Sequence, residues 1–204
     1  MQKIFGTDGI RCIVNQEPMT AETCLKIAKT TGYLLSVDKQ KGKRRVVISK
    51  DTRLSGYLFE PLLTAGFISM GMDVILVGPL PTPALPMLIK SLRADMGVMI
   101  TASHNPPQYN GIKPVASDGV EISREDEQKI EQIFDEQSWI KADTFGKTFE
   151  EINVISTYID GIVSLLDIDM IKDKKFKVCL DLGNGAQSVT AKKLCEELGC
   201  EVFT

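Results

Sequence analysis

A hydroxyl, an imidazole and an amide follow one another in Thr101-Ala102-Ser103-His104-Asn105-Pro106, and Asn110-Gly111-Ile112-Lys113 stands close behind. Ahead of them, Gly97-Val98-Met99-Ile100 is an apolar run of the kind that forms an interior strand of a parallel sheet. Polar side chains at the carboxyl end of such a strand stand where open α/β sheets bind ligands. A serine there can serve as a nucleophile or as a phosphate carrier. The motif is not G-x-S-x-G, so the elbow of α/β-hydrolases is absent. Adjacent side chains diverge on an extended segment, so Ser103 and His104 do not by themselves make a triad. Phosphoserine is better supported, because a phosphate adds about -1.5 to -2 charges and acceptor oxygens that need cations and backbone donors. Arg11, Arg53 and Lys113 are the cations on offer.

Each of these residues also has a plainer reading. Ser103 can be a turn or cap residue, Lys113 a solvated charge, and Asp8 with Arg11 a capping pair within a turn. His104, the single histidine, suits general acid–base work near neutral pH or a hydrogen bond that holds its loop.

The surrounding pattern predicts how such residues meet. Thr20 caps a helix with Glu22 in its first turn and Leu25, Ile27, Ala28, Leu34 and Leu35 on its apolar face; residues 39–45 form a basic connection. Val46-Val47-Ile48 predicts a strand, Ser55 to Met70 a helix with a bend at Pro61, and Val74-Ile75-Leu76-Val77 a second strand. Thr82 as N-cap with Pro83 in first position opens another helix to about Leu92, and 96–100 completes the series. Strands linked through helices run parallel, so the loops at 50–56, 78–83 and 101–113 converge on one sheet edge and bring Arg53, Ser55, Ser103, His104 and Lys113 into one crevice.

Further on, Ile112–Val115 and Val120–Ile122 read as a hairpin, Ser123 with Asp126 opens a helix to about Phe134, and 138–152 is a linker or edge segment. A helix near 154–168 leads into a second unit: a strand from Lys177, the turn Gly183-Asn184-Gly185, a helix over 188–198 and a strand at 201–203. Ser188 replaces the third glycine of G-x-G-x-x-G, so that turn reads as structural and not as a nucleotide loop. The expected fold is α/β, a mixed and mostly parallel sheet with helices on both faces, with domains at 1–150 and 151–204. The second is the start of a similar domain, since two strands and one crossover bury little.

A net charge of -3 argues against a nucleic-acid partner, no apolar stretch reaches membrane-spanning length, and the amino terminus lacks a signal-peptide core. Five cysteines without CxxC pairing read as reduced thiols in a cytoplasmic protein, and one histidine argues against zinc.

The hexapeptide around Ser103 resembles the active-serine signature of the α-D-phosphohexomutase superfamily. Phe5-Gly6-Thr7-Asp8-Gly9-Ile10-Arg11, Lys50-Asp51-Thr52-Arg53-Leu54-Ser55-Gly56, Gly78-Pro79-Leu80-Pro81-Thr82-Pro83 and Asn110-Gly111-Ile112-Lys113 agree with it in order and spacing. The phosphoglucosamine branch is the nearer, the phosphomannose/phosphoglucose branch next. The resemblance implies a shuttle in which phospho-Ser103 converts glucosamine 6-phosphate to glucosamine 1-phosphate through a bisphosphorylated sugar, with Mg²⁺ held through the phosphoryl oxygen on Ser103. It implies Arg11 and Lys113 beside the phosphoserine and Lys113 or His104 in proton transfer. By the same resemblance, Thr7, Asp8, Arg53 and Asn105 are expected to line the site. Cys12 stands where the family usually has glycine, and the family's acidic metal loop and sugar-reading segments do not occur in these residues. The expectation is therefore the N-terminal portion of such an enzyme, inactive alone, with a phosphosugar substrate and with a homodimer among its assemblies. A non-catalytic phosphosugar-binding or partner-pairing protein is the second reading, a serine hydrolase the third.

Overall fold

Strands that are apolar on both faces need a helix layer on each side. In the computed structural model, which describes residues 3–37, 44–139 and 142–204, six strands form one sheet. They are β1 (Ile10–Ile13), β2 (Arg45–Lys50), β3 (Asp73–Pro79), β4 (Met96–Ile100), β5 (Tyr109–Ala116) and β6 (Thr148–Glu150), in the order β1-β5-β4-β2-β3-β6. β2 pairs in parallel with β3 and β4, β6 joins β3 in parallel, and β5 runs antiparallel to both β4 and β1. The mixed, mostly parallel sheet expected from the sequence is the one observed.

On one face Ile48, Val98 and Ile112 pack with Ile27 of α1 (Ala21–Gly32), Phe67 of α2 (Gly56–Ser69) and Ile130 of α4 (Arg124–Glu136). On the other, Val47, Met99 and Val115 meet Leu85 of α3 (Ala84–Ser91) and Tyr158 of α5 (Val154–Val163). The chain leaves β2 through α2 on one face and returns past β2 to β4 through α3 on the other. β2 is thus a switch point, where adjacent loops part and open a crevice at the carboxyl edge.

Four expectations need correction. Residues 10–13, read within a turn-rich stretch, form an edge strand because β5 supplies their hydrogen-bonding partner. Residues 109–111, read as loop, begin β5, and the expected hairpin shrinks to a single bridge between Val115 and Glu121 around the Gly119 turn. In α3, carbonyls of Pro81 and Thr82 accept from Ala84 and Leu85 in a tight turn, which moves the helix start past Pro83. The helix near 154–168 is two: α5 stops at Val163, and Asp167 caps a new helix, α6 (Ile168–Asp173), through the Met170 amide. The basic connection lies outside the described residues at 39–43.

The second unit has β7 (Lys177–Cys179) and β8 (Glu201–Phe203) in parallel, joined through a 3-10 turn (Ala186–Val189) and α7 (Ala191–Glu197). Among the described residues no helix is long and apolar enough to cross a membrane.

Candidate active site

β4 ends at Ile100 and the antiparallel β5 begins at Tyr109, so 101–108 must reverse direction at the carboxyl edge. Within this turn Ser103 has φ 54°, a left-handed conformation that non-glycine residues keep only where their surroundings enforce it. The enforcement is visible. The Ser103 amide donates to Thr101 Oγ1 at 3.0 Å, and Thr101 Oγ1 donates to Asp51 Oδ2 at 2.6 Å. Asp51 Oδ2 also accepts from Arg53 Nε at 3.0 Å. Arg53 closes the ring, with Nη2 donating to the carbonyls of Ser103 (3.0 Å) and Asn105 (2.7 Å) and Nη1 to those of Pro106 (2.8 Å) and Tyr109 (3.0 Å). Ser103 is clamped through its own amide and its own carbonyl, while its side chain stays exposed.

Two expectations change here. Arg53 uses all five of its N–H donors on Asp51 and the loop carbonyls, so it shapes the serine turn and has no donor left for a phosphate. The side chains of Ser103 and His104 do not diverge: the left-handed turn brings Ser103 Oγ within 3.4 Å of His104 Nδ1.

A second cluster stands on β1 and β5. Ile10, Ile112 and Ile100 lie in one row across the sheet, so β1 starts level with the end of β4. Glu131 of α4, itself buried, accepts the amides of Ile4 and Phe5, and Arg124 donates to the Gly6 carbonyl, which pins the approach to β1. Asp8 then bridges two cations: Arg11 Nη2 at 2.5 Å and Lys113 Nζ, which also lies 3.6 Å from Glu121. Gly9 permits this approach, since at φ 76° a Cβ would stand 2.8 Å from the Ile112 carbonyl oxygen and 2.9 Å from Lys113 Cγ. Gly111 does the same for the serine turn, a Cβ there falling 2.6 Å from the Thr101 oxygen. Arg11 Nη1 joins the clusters by donating to Asn105 Oδ1 at 3.0 Å, and its buried Nε has no hydrogen-bond partner among the described residues. Thr7 is exposed beside them.

The Lys113 hydrogen bond holds the Asp8 carboxyl below its ordinary 3.8, with Arg11 adding to the pull against burial. A depressed folded-state pKa stabilises the fold above the unfolded value and loses that contribution as pH falls through the folded value. The stability advantage of the native protein over Asp8→Asn is therefore expected in full above about pH 5 and to fade below about pH 4. Chemical-denaturation midpoints measured from pH 7 to pH 2 check this; an advantage that is constant across the range refutes it.

A cleft of about 860 Å³ opens beside the serine turn, walled by 51–54, 81–83, parts of 99–107 and 182–187. Arg53, Ser103, His104 and Asn105 line it. Thr7, Asp8, Arg11 and Lys113 do not. Lys113 lines a smaller pocket of about 340 Å³ that shares Thr82 and Met99 with the cleft. Ser55 faces inward, accepting from Asn110 Nδ2 at 2.7 Å and so tying β5 to the loop after β2. The far wall is the Gly183-Asn184-Gly185 turn, read from sequence as merely structural; Thr52 Oγ1 donates to the Asn184 carbonyl at 2.8 Å across the opening. Asp51 and Thr101, absent from the expected site residues, carry the clamp. Their signal was their place inside the same two motifs as Arg53 and Ser103.

Among the described residues no group of three or more His, Cys, Asp or Glu side chains could hold a metal ion. The described residues do not by themselves fit a Mg²⁺ site.

Residues 2–141 match the model of the phosphoglucomutase/phosphomannomutase family, alpha/beta/alpha domain I. The chain is 46% identical over 204 residues to the phosphoglucosamine mutase of Rhodospirillum rubrum, covering 98% of this chain and 44% of that protein. It is 46% identical over 207 residues to that of Paramagnetospirillum magneticum, covering 99% and 45%. A crystal structure of a phosphoglucomutase/phosphomannomutase family protein from Burkholderia thailandensis superposes with a TM-score of 0.84 at 27% identity, covering 100% of this chain and 43% of the other. The chain spans less than half the length of the curated relatives it matches.

Proposed function

Because this chain belongs to the phosphoglucomutase/phosphomannomutase family, we propose that it is the serine-bearing part of a phosphoglucosamine mutase. Residues 1–150 supply the phosphoryl carrier and 151–204 begin the unit that faces it. Phospho-Ser103 transfers its phosphoryl group to the free hydroxyl of glucosamine 6-phosphate, the P–O bond to serine breaking as the bond to the sugar forms. The bisphosphorylated sugar reorients and returns its other phosphate to Ser103, leaving glucosamine 1-phosphate.

The observation that carries this reading is the clamp, which holds Ser103 by its backbone and leaves its hydroxyl exposed in the cleft. Such transfer depends mainly on positioning and charge neutralisation. The Arg11–Asp8–Lys113 cluster, tied to the serine turn through the Arg11–Asn105 hydrogen bond, is the source of positive charge for that neutralisation. His104, at the edge of hydrogen-bond reach of Ser103, is placed to move a proton at the serine oxygen. Mg²⁺, expected from the family, finds one donor here, the phosphoryl oxygen that Ser103 would carry.

The test uses the native polypeptide that carries this sequence. Incubated with a hexose bisphosphate and mapped by mass spectrometry, it is expected to bear phosphate on Ser103 and to interconvert glucosamine phosphates faster than glucose or mannose phosphates. Phosphate on another residue refutes the carrier. A preference for glucose or mannose phosphates moves the substrate to the other branch of the family.

A further inference from the structure

The carboxyl end of α7 carries a cysteine pair that the mutase reading does not use. The chain leaves the helix through Leu198 and Gly199, the latter at φ 76°. The Gly199 amide donates to the Glu196 carbonyl at 2.9 Å, and the Cys200 amide to the Cys195 carbonyl at 3.0 Å. These two bonds define a Schellman cap, with Cys195 three positions inside the helix end and Cys200 two positions beyond the cap residue. Side chains at those two positions pack on each other in such caps. In most helices the contact is apolar; here both partners are thiols.

We propose that Cys195 and Cys200 form a redox-modification site, closing a reversible disulfide across the α7 cap when met by a small-molecule disulfide such as oxidised glutathione. The Cys200 amide nitrogen is one bond from its Cα, and the Cys195 carbonyl oxygen two bonds from its own. A 3.0 Å hydrogen bond between those atoms thus keeps the two Cα atoms within the roughly 4.4–6.8 Å that a disulfide spans. The two sulfurs also sense each other: besides burial, the charge of Cys200 raises the Cys195 thiol above its ordinary range. Both side chains are half-buried, so a small oxidant reaches them. Cys24 is not a competitor, since its thiol is buried and pushed up to about 12. Cys179 is exposed but lies opposite Phe203 on β7, three residues along β8 from Cys200.

The chemistry balances as ordinary exchange. One cysteine thiolate attacks a sulfur of oxidised glutathione, forming a mixed disulfide and expelling a glutathione thiolate that takes up the displaced proton. The second cysteine, as thiolate, attacks the protein sulfur of the mixed disulfide, closing the Cys195–Cys200 bond and releasing a second glutathione. Two protein S–H bonds become one S–S bond, and the two electrons reduce the oxidant. The bond bolts α7 to the chain entering β8, in the same unit whose 183–187 turn walls the cleft.

The native polypeptide, treated with oxidised glutathione and then unfolded for thiol titration, is expected to lose two of its free thiols, those of Cys195 and Cys200. Its mass should drop by two hydrogens and its digest contain one peptide linking Cys195 to Cys200. Cys179→Ser should keep that linkage. Cys195→Ser and Cys200→Ser should lose it, and the remaining partner should carry glutathione instead. Glutathione on both Cys195 and Cys200 of the same chain, a bridge containing Cys179, a bridge between two chains, or no loss of thiols overturns the site. None of these readings depends on mutase activity, so the mutase reading and this one fail separately.

Discussion

Alanine at position 103 is expected to abolish phosphate uptake while leaving the thermal midpoint close to that of the native protein. The separation follows from how the turn is held. The two strong contacts at this residue come from its amide and its carbonyl, which alanine retains, whereas the hydroxyl makes only a 3.4 Å approach to His104. Alanine and serine also pay a similar cost for the left-handed φ. The hydroxyl is thus nearly idle in the fold and indispensable to the proposed chemistry, because no other oxygen occupies that position on the clamped turn. Removing a covalent nucleophile costs at least about 10³-fold in rate. Mutase turnover by the native polypeptide and its Ser103→Ala variant, with thermal unfolding of both, checks the two halves. Retained turnover sinks the carrier role, and a large fall in the midpoint sinks the claim that the hydroxyl is structurally idle.

The second large effect belongs to Arg53, and it is structural first. Its side chain is 12% exposed, and the guanidinium ties Asp51 to four carbonyls of one turn. Arg53→Ala leaves the Asp51 carboxylate with one hydroxyl, one amide and no cation, and frees four carbonyls that the turn must present to water. Breaking an ion pair of this degree of burial costs about 3–5 kcal/mol, which for a chain of this size lowers the thermal midpoint by about 10 °C. Arg53→Lys should recover only part, since an ammonium can pair with Asp51 but cannot span the carbonyls as a planar fork does. Differential scanning calorimetry of the three proteins, with proteolysis of 102–108 as the local readout, tests this. A midpoint for Arg53→Ala within about 2 °C of the native value would show that the clamp holds little.

Local signals located most elements. Val46–Ile48, Val74–Val77 and 96–100 are short apolar runs between turn residues, and each is a strand. Ser123 and Thr20 cap the helices they were expected to cap, because an N-cap bond spans three residues and is written in local sequence. β1 and the start of β5 were not legible: each is a strand by virtue of the other, and pairing between residues about a hundred positions apart leaves no local trace. The same holds for α5 and α6, where an apolar pattern continues through a break made by the Asp167 cap.

The sequence by itself determined where candidate chemistry sits and which family it resembles. A serine at the end of an apolar strand, four further motifs in order and a mostly parallel α/β arrangement are properties of residue type and spacing. Only the tertiary structure decided what each charged residue does. Arg53, a phosphate cation by type, became the frame of the serine turn because the carbonyls of 103, 105, 106 and 109 all point at it. Asp8, Arg11 and Lys113 became one ion-pair chain because β1 and β5 run side by side. The Gly183–Gly185 turn became a cleft wall because the second unit places it across from Thr52. A side chain's type sets what it can bind, and the competition among the groups that folding brings within reach decides which of those bonds it makes.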